Sequence, residues 1–317
     1  MPRRGLAIGC GGTLGFAWTA IALQAVQRQL DWDPRTAEVL LGTSAGSEMV
    51  ALLGSGRSAD DIVAALDGGT EDPVLARHLA HHPGKRPPLP RLGWPARGLL
   101  ARGELDPTAR LAGLLPRGGG DAGWLRELGA RLADERRADE QSASVGDWVA
   151  HPATWIVAAD ASTGARVAFG SPEAPKAGLG QAIAASWAIP GWFPPVLIAG
   201  RHYLDGGTVS SVSADLLAPL ELDELVVLAP MTSEQPAPAT GLSRLERLLR
   251  RRMTLGLNRE LRKLRGTKVI RVEPGPAELA AMGFNFMDPR RVQSTVDAAR
   301  SHAPDRVRAA ITRGVAA

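Results

Sequence analysis

Short apolar runs bounded by glycine alternate along this chain with longer segments whose apolar residues recur every three to four positions. The first run, 5–9, reads as a buried strand, and 16–30 then sets Trp18, Ile21, Ala22, Ala25 and Val26 on one helical face. A second strand is predicted at 38–41, a tight turn at 42–46 and a buried helix at 47–53. Ser58 caps a further helix at 59–66, which Gly68 and Gly69 stop. Later strands fall at 155–159, 196–198, 202–204, 225–228 and 268–272, with 166–169 as the hairpin partner of 155–159. Helices are predicted at 180–187, 242–264 and 289–302, and Pro304 opens a last one. Strand and helix alternate over most of the length, so a largely parallel sheet with helices on both faces is expected. Residues 81–123 are rich in Pro, Gly and Arg and read as a loop-rich insertion or lid within one domain of 1–317, whose C-terminal helices begin at about 276.

Composition changes this picture little. A chain of 317 residues, 44% hydrophobic and 22% charged, can bury a sizeable core without staples. Cys10 is the lone cysteine, which excludes a disulfide framework and a Cys-rich zinc site and suits a reducing compartment. A net charge of +4 is too small to indicate a nucleic-acid binder. The apolar run before Cys10 is too short for a secretory signal, and no charge-free apolar stretch reaches the roughly 18 residues of a membrane span. A cytoplasmic protein is expected, with membrane contact peripheral at most.

The chemistry concentrates at two glycine-rich turns. Gly42-Thr43-Ser44-Ala45-Gly46 fits the G-x-S-x-G elbow, in which glycines let the backbone turn sharply from strand to helix and lift a serine oxygen above the sheet. Gly9-Cys10-Gly11-Gly12-Thr13-Leu14-Gly15 follows the first strand and leaves free amides at a helix start. Two functions compete for that turn. As an oxyanion hole, the Gly11 and Gly12 amides would face the negative oxygen that forms when Ser44 attacks an acyl carbonyl. As a dinucleotide-binding turn it departs from G-x-G-x-x-G by one residue, with Asp31 or Asp33 available as a ribose ligand.

A nucleophilic serine needs a base. His78, His81, His82 and His302 read as surface histidines, and His202 sits in a strand without a clear carboxylate partner. Leu-Asp-Gly-Gly-Thr occurs twice, at 66–70 and 204–208. Asp67 ends a helix, where Gly68 supplies the left-handed cap, whereas Asp205 follows a strand and its glycines permit a turn into a cleft. The setting favours Asp205.

These two turns, the segment Ala185-Ser186-Trp187-Ala188-Ile189-Pro190-Gly191-Trp192-Phe193-Pro194-Pro195, and Tyr203-Leu204-Asp205-Gly206-Gly207 together resemble the bacterial patatin-like phospholipases, in that family's order from Gly5 to about Leu217. The resemblance implies an α/β fold, a three-layer α/β/α sandwich with a largely parallel central sheet. It also implies hydrolysis of lipid acyl esters, of phospholipids or lysophospholipids, by a Ser–Asp dyad without metal or cofactor. It assigns Ser44 as nucleophile, Asp205 as base, and the Gly11 and Gly12 amides as oxyanion donors. Cys10 stands where the family's first motif opens its triple glycine, and Leu14 where it carries Arg or Lys, so the main-chain amides are left as the principal donors.

Residues 242–264 place Leu245, Leu249, Met253, Leu257, Leu261 and Leu264 on one stripe among many arginines. The stripe predicts a peripheral helix that packs its leucines on the sheet, with contact to an anionic membrane as the second reading. Trp187, Trp192 and Phe193 are candidates for an acyl pocket or for the core. Two other functions stay open from the residues: a dinucleotide-binding protein built on the first turn, and a catalytically inactive lipid-binding module.

Overall fold

The computed structural model describes residues 2–81, 83–140, 147–235, 237–238, 241 and 243–315; His82 and Leu242 lie outside them. Its strands are β1 (Arg4–Ile8), β2 (Leu40–Thr43), β3 (Thr154–Asp160), β4 (Arg166–Phe169), β5 (Val196–Ile198), β6 (Arg201–Asp205), β7 (Glu224–Leu228) and β8 (Lys268–Val272). Its helices are α1 (Gly12–Leu30), α2 (Ala45–Gly54), α3 (Ala59–Leu66), α4 (Pro73–Leu79), α5 (Pro107–Leu111), α6 (Gly123–Glu140), α7 (Leu179–Ser186), α8 (Ser243–Leu261), α9 (Pro276–Met282) and α10 (Val292–Val315). The described strands make one eight-stranded sheet in the order β5-β6-β3-β2-β1-β7-β8, with β4 also on β3. Strands β3, β2, β1, β7 and β8 run parallel, while β4 and β6 pair antiparallel with β3.

Alternate residues of the parallel strands enter two apolar cores. Leu6, Ile8, Leu40, Val226 and Leu228 pack with α1, α2, α3, α7 and α10 on one face. Ala7, Leu41, Leu225 and Val227 pack with Leu217, Leu257 and Leu264 on the other. A strand buried on both faces has no polar alternation, which is why these segments read as continuous apolar runs. The three-layer mixed α/β architecture follows.

The register around β3 positions the site. β4 covers one edge of β3 from Ile156 to Ala159. The opposite edge is shared: β2 ends with Thr43 opposite Val157, and β6 ends with Asp205 opposite Ala158. Two strands running toward each other thus meet end to end, and both must turn away where they meet.

Three sequence expectations change. Helices α4 and α6 were not predicted, whereas α9 begins at the expected 276; α6 buries Leu125, Leu128 and Leu132 at helical spacing within an otherwise charged stretch. Pro304 does not open a helix but lies inside α10. Its missing N–H removes one helical bond, while its carbonyl accepts from Gln29 Nε2 at 2.6 Å and the helix packs against α1 and β8. The insertion is less irregular than expected, since Arg91 and Arg117 form a β-bridge and α5 lies within it.

Helices α6 and α7 cross at glycines. A Cβ on Gly129 would stand 2.3 Å from the Gly180 nitrogen, whereas one on Gly256, in mid-α8, would meet nothing within 4 Å. Gly129→Ala should therefore lower stability by about 1–3 kcal/mol through overpacking, and Gly256→Ala should raise it by roughly 0.5–1 kcal/mol through helix propensity. Thermal unfolding of the two variants checks the opposite signs.

Candidate active site

Strand β2 runs directly into α2 at Ser44, whose φ of 55° and ψ of −122° are unusual for a residue with a side chain. Such a conformation costs on the order of 1–3 kcal/mol and persists only where its surroundings fix it. Close backbone approach does so here. A Cβ on Gly42 would stand 2.3 Å from the Gly46 carbonyl oxygen, and one on Gly46 would stand 2.2 Å from the Ile8 carbonyl oxygen. The Ser44 amide donates to Ser186 Oγ at 2.8 Å, and the Ser186 hydroxyl donates to the Val157 carbonyl at 2.6 Å. Ser186, at the end of α7, therefore ties the elbow to β3. No local sequence signal marks this role of Ser186, because the bond spans 142 residues.

Asp205 ends β6 beside this elbow. Its carboxylate accepts from the Gly207 amide at 2.7 Å. Burial raises its pKa from 3.8 to about 7, against the opposing influence of the nearby Ser44 side chain and the Gly207 amide. A carboxyl poised there exchanges a proton near neutral pH, as a general base requires.

Gly11 and Gly12 form the start of α1, and Gly12 has a φ of +58°. Among the described residues neither amide has a hydrogen-bond partner, although the following turn is held by Leu14 N donating to the Phe286 carbonyl and Gly15 N to the Gly11 carbonyl. Cys10, Gly11, Gly12, Ser44, Asp205 and Gly207 line one cavity of about 420 Å³. Burial, with the nearby Asp205 charge, pushes the Cys10 thiol far above its usual range, so the sulfur stays protonated and is a poor nucleophile. Leu14 is fully buried in the core.

The rest of the wall comes from other elements. Ile189, Met231, Leu249, Met253, Phe286 and the insertion residues Leu111 and Leu115 give it an apolar lining, with Asp106, Arg252 and Arg259 also present. Trp187 and Phe193 belong to the core and do not line this cavity; Trp187 packs edge-on against both Trp124 and Phe193. Trp192 is partly buried against the same core.

The expectation for α8 holds only at its C-terminal end, where Leu257, Leu261 and, just beyond the helix, Leu264 pack on the sheet, and fails at Leu245, which is exposed. The buried face of the helix carries Glu246, Arg250, Thr254, Leu257 and Glu260, while Leu245, Leu248 and Leu255 are exposed. Polar partners decide this orientation. Arg250 donates to Glu246 at 2.7 Å and to the Pro230 carbonyl, and Glu260 accepts from the Ser210 hydroxyl and from the Ala214 amide at 2.9 Å. Arg250 is thus a buried structural cation, close enough to Cys10 to lower its pKa against the effect of burial.

The remaining candidates lie elsewhere. Asp67 caps α3 and pairs with Arg300 at 2.5 Å. His202 sits on β6 opposite Leu197, exposed at the outer end of the sheet. His78, read as a surface residue, is instead buried, with Nε2 2.6 Å from Glu48 and its ring stacked on Trp124. The unpredicted helix α6 supplies that cover. His302 is exposed as expected. Asp31 caps the far end of α1, about 28 Å from Gly12 at 1.5 Å per residue, and Asp33 is occupied by Arg35 before β2 begins. Neither can serve as a ribose ligand for the glycine turn, so the dinucleotide reading loses its second half.

The sequence profile of the patatin-like phospholipases matches residues 6–218. No protein of curated function matches the chain. Among solved structures, VipD from Legionella pneumophila superposes with a TM-score of 0.45 at 14% identity, over 98% of this chain and 67% of that one. The type III effector protein ExoU gives 0.41 at 17% identity, over 98% of this chain and 53% of that one. The profile spans the elbow, the glycine turn and Asp205 in one match, and the chain belongs to the patatin-like phospholipase family.

Proposed function

We propose that this lipid ester hydrolase cleaves phospholipid or lysophospholipid acyl chains with a Ser44–Asp205 dyad. The observation that carries the reading is one cavity lined by Ser44, by the buried Asp205, whose pKa has risen to about 7, and by Gly11 and Gly12. Asp205 takes the hydroxyl proton as Ser44 Oγ attacks the ester carbonyl. The Gly11 and Gly12 amides face the oxyanion, with the N-terminus of α2 adding favourable potential. Collapse of the tetrahedral species releases the alcohol, protonated by Asp205, and leaves an acyl-serine. Water, deprotonated by Asp205, then hydrolyses it.

A fluorophosphonate should label Ser44 alone, and mass spectrometry should find no adduct on Ser44→Ala protein. Asp205→Asn should lower esterase turnover at least a hundredfold, while Asp67→Asn leaves it within about twofold. Turnover surviving in Ser44→Ala, or equal losses in the two Asn variants, would remove the dyad.

The raised pKa sets a pH dependence. Asp205 acts only when deprotonated, so kcat/KM for a short soluble ester should fall as pH drops through about 7. Stability moves the other way. The folded protein holds this proton between about pH 4 and 7 and the unfolded chain does not, so folding loses stability as pH rises through that window, on the order of 4 kcal/mol in all. Asp205→Asn should therefore be more thermostable than wild type at pH 8, with the gap closing by pH 4. A gap independent of pH would contradict the assignment.

The cavity mouth also fits a peripheral lipid surface. No described helix is long and apolar enough to cross a membrane. Leu114, Leu245 and Leu248 are exposed beside the cavity-lining Leu115 and Leu249, with Arg244 and Arg251 also exposed on α8. Apolar side chains flanked by cations suit an anionic interface. Replacing Leu114 and Leu248 together by Asp should weaken binding to anionic vesicles at least tenfold in a sedimentation assay, and unchanged binding would remove this face from the interface.

A further inference from the structure

Two arginines in the cavity wall come from α8, beyond the 6–218 span of the family match. Arg252 and Arg259 are seven residues apart, so they lie on one face of the helix two turns from each other. Gly256 lies between them and also lines the cavity, and the space a Cβ would occupy there is empty to 4 Å. Among the described residues the pair is only partly neutralised: Arg252 has a loose contact with Asp106, at 4.0 Å, and Arg259 has no ion-pair partner.

Two residues that line the same cavity carry unpaired hydroxyls. Ser211 is nine-tenths buried, lines the cavity, and its Oγ has no hydrogen-bond partner among the described residues; the same holds for the Oγ1 of half-buried Thr208. A buried hydroxyl left unpaired costs free energy that a ligand can recover. This segment lies against α8, because the Ser210 hydroxyl donates to Glu260, the residue after Arg259. It also follows directly on Asp205, through Gly206 and Gly207.

We propose that Arg252, Arg259, Thr208 and Ser211 form a phosphate subsite that holds the headgroup phosphodiester of a phospholipid while Ser44 attacks one of its acyl esters. The inference rests on the hydrolase reading above and names the substrate feature that its cavity selects. Guanidinium groups and hydroxyls are donors, which matches the acceptor-only oxygens of a phosphate. Charge balance selects the diester. With Asp205 protonated, the two arginines and Asp106 leave one net positive charge, which a phosphodiester monoanion neutralises and a phosphomonoester dianion exceeds; ionisation of Asp205 lowers that sum to zero and disfavours the dianion further. Asp106 stays ionised: burial works against it, but the Thr108 hydroxyl and amide and the charges of Arg252 and Arg259 hold its pKa below the usual value. The apolar wall of Leu111, Ile189, Leu249 and Phe286 is left for the acyl chain.

A monomeric short-chain phospholipid separates this subsite from attachment to a membrane. With diheptanoyl phosphatidylcholine below its micellar concentration and p-nitrophenyl butyrate as paired substrates, the Arg252→Gln/Arg259→Gln protein should show a fall of at least tenfold in the ratio of the two kcat/KM values. The loss should appear in the phospholipid KM. In a Ser44→Ala background, calorimetric titration with the same lipid should show at least tenfold weaker binding when both arginines are replaced. Asp106→Asn, which keeps the helix cap, should shift preference several-fold toward the dianionic short-chain phosphatidic acid. An unchanged ratio together with unchanged binding would overturn the subsite. Because the titration needs no turnover, a wild-type protein that hydrolysed neither substrate would refute the dyad while the arginine comparison still decided the subsite.

Discussion

One edge of β3 must accept two strands that run toward each other, and the chemistry follows from their meeting. Thr43 of β2 and Asp205 of β6 occupy successive positions on that edge. Neither strand can continue, so β2 escapes upward through the elbow and β6 through a glycine turn. Gly206 fits there because a Cβ would stand 2.8 Å from the Val157 carbonyl oxygen. Ser44 and Asp205 are adjacent because the sheet leaves them nowhere else to go. The same crowding buries Asp205, and burial is the largest influence raising its pKa. Strain at Ser44 and desolvation at Asp205 are thus two expressions of one packing constraint, each opposing stability in the service of reactivity.

The cavity divides into a part fixed by the sheet and a part added to it. Ser44, Asp205, Gly11 and Gly12 stand at the ends of strands β1, β2 and β6, where the backbone is rigid. Leu111, Leu115, Leu249, Arg252 and Met253 come from the insertion and from α8. In the proposed reading, reaction chemistry belongs to the first set and selection among substrates to the second. A scaffold that separates them can change its substrate by altering helices and loops without disturbing the elbow.

Helix α8 shows how such an added wall is held. Burying Arg250, Glu246 and Glu260 gives little net stability, because desolvation of the charges offsets their attraction. What it provides is orientation, since each polar group is satisfied in only one rotation of the helix. Arg166 and Lys263 extend the arrangement by pairing with Asp215 at 2.7 and 2.8 Å. The rotation that satisfies these inner groups is the one that turns Arg252, Met253 and Arg259 into the cavity.

Much of this was legible in the sequence, and the reason is local. A strand buried on both faces must be apolar throughout, and a chain that turns sharply must place glycine at the turn, so the parallel strands, the elbow at Ser44 and the turn at Gly11 and Gly12 declared themselves within a few residues. Asp205 was separable from Asp67 because one follows a strand and the other ends a helix. The orientation of α8 was legible only in part: Leu257 of its leucine stripe reaches the core, but partners at Ser210, Ala214 and Pro230 turn Glu246, Arg250 and Glu260 inward as well and leave Leu245 exposed. The burial of His78 depended on Trp124, 46 residues away, and the fixing of Ser44 on Ser186, 142 residues away. Periodicity and turn chemistry report what the backbone must do locally, and the sequence determined that much. Which polar groups find each other across the fold, and therefore which side chains face the cavity, was decided by the tertiary structure, because a hydrogen bond or an ion pair depends on separation in space and leaves no period along the chain.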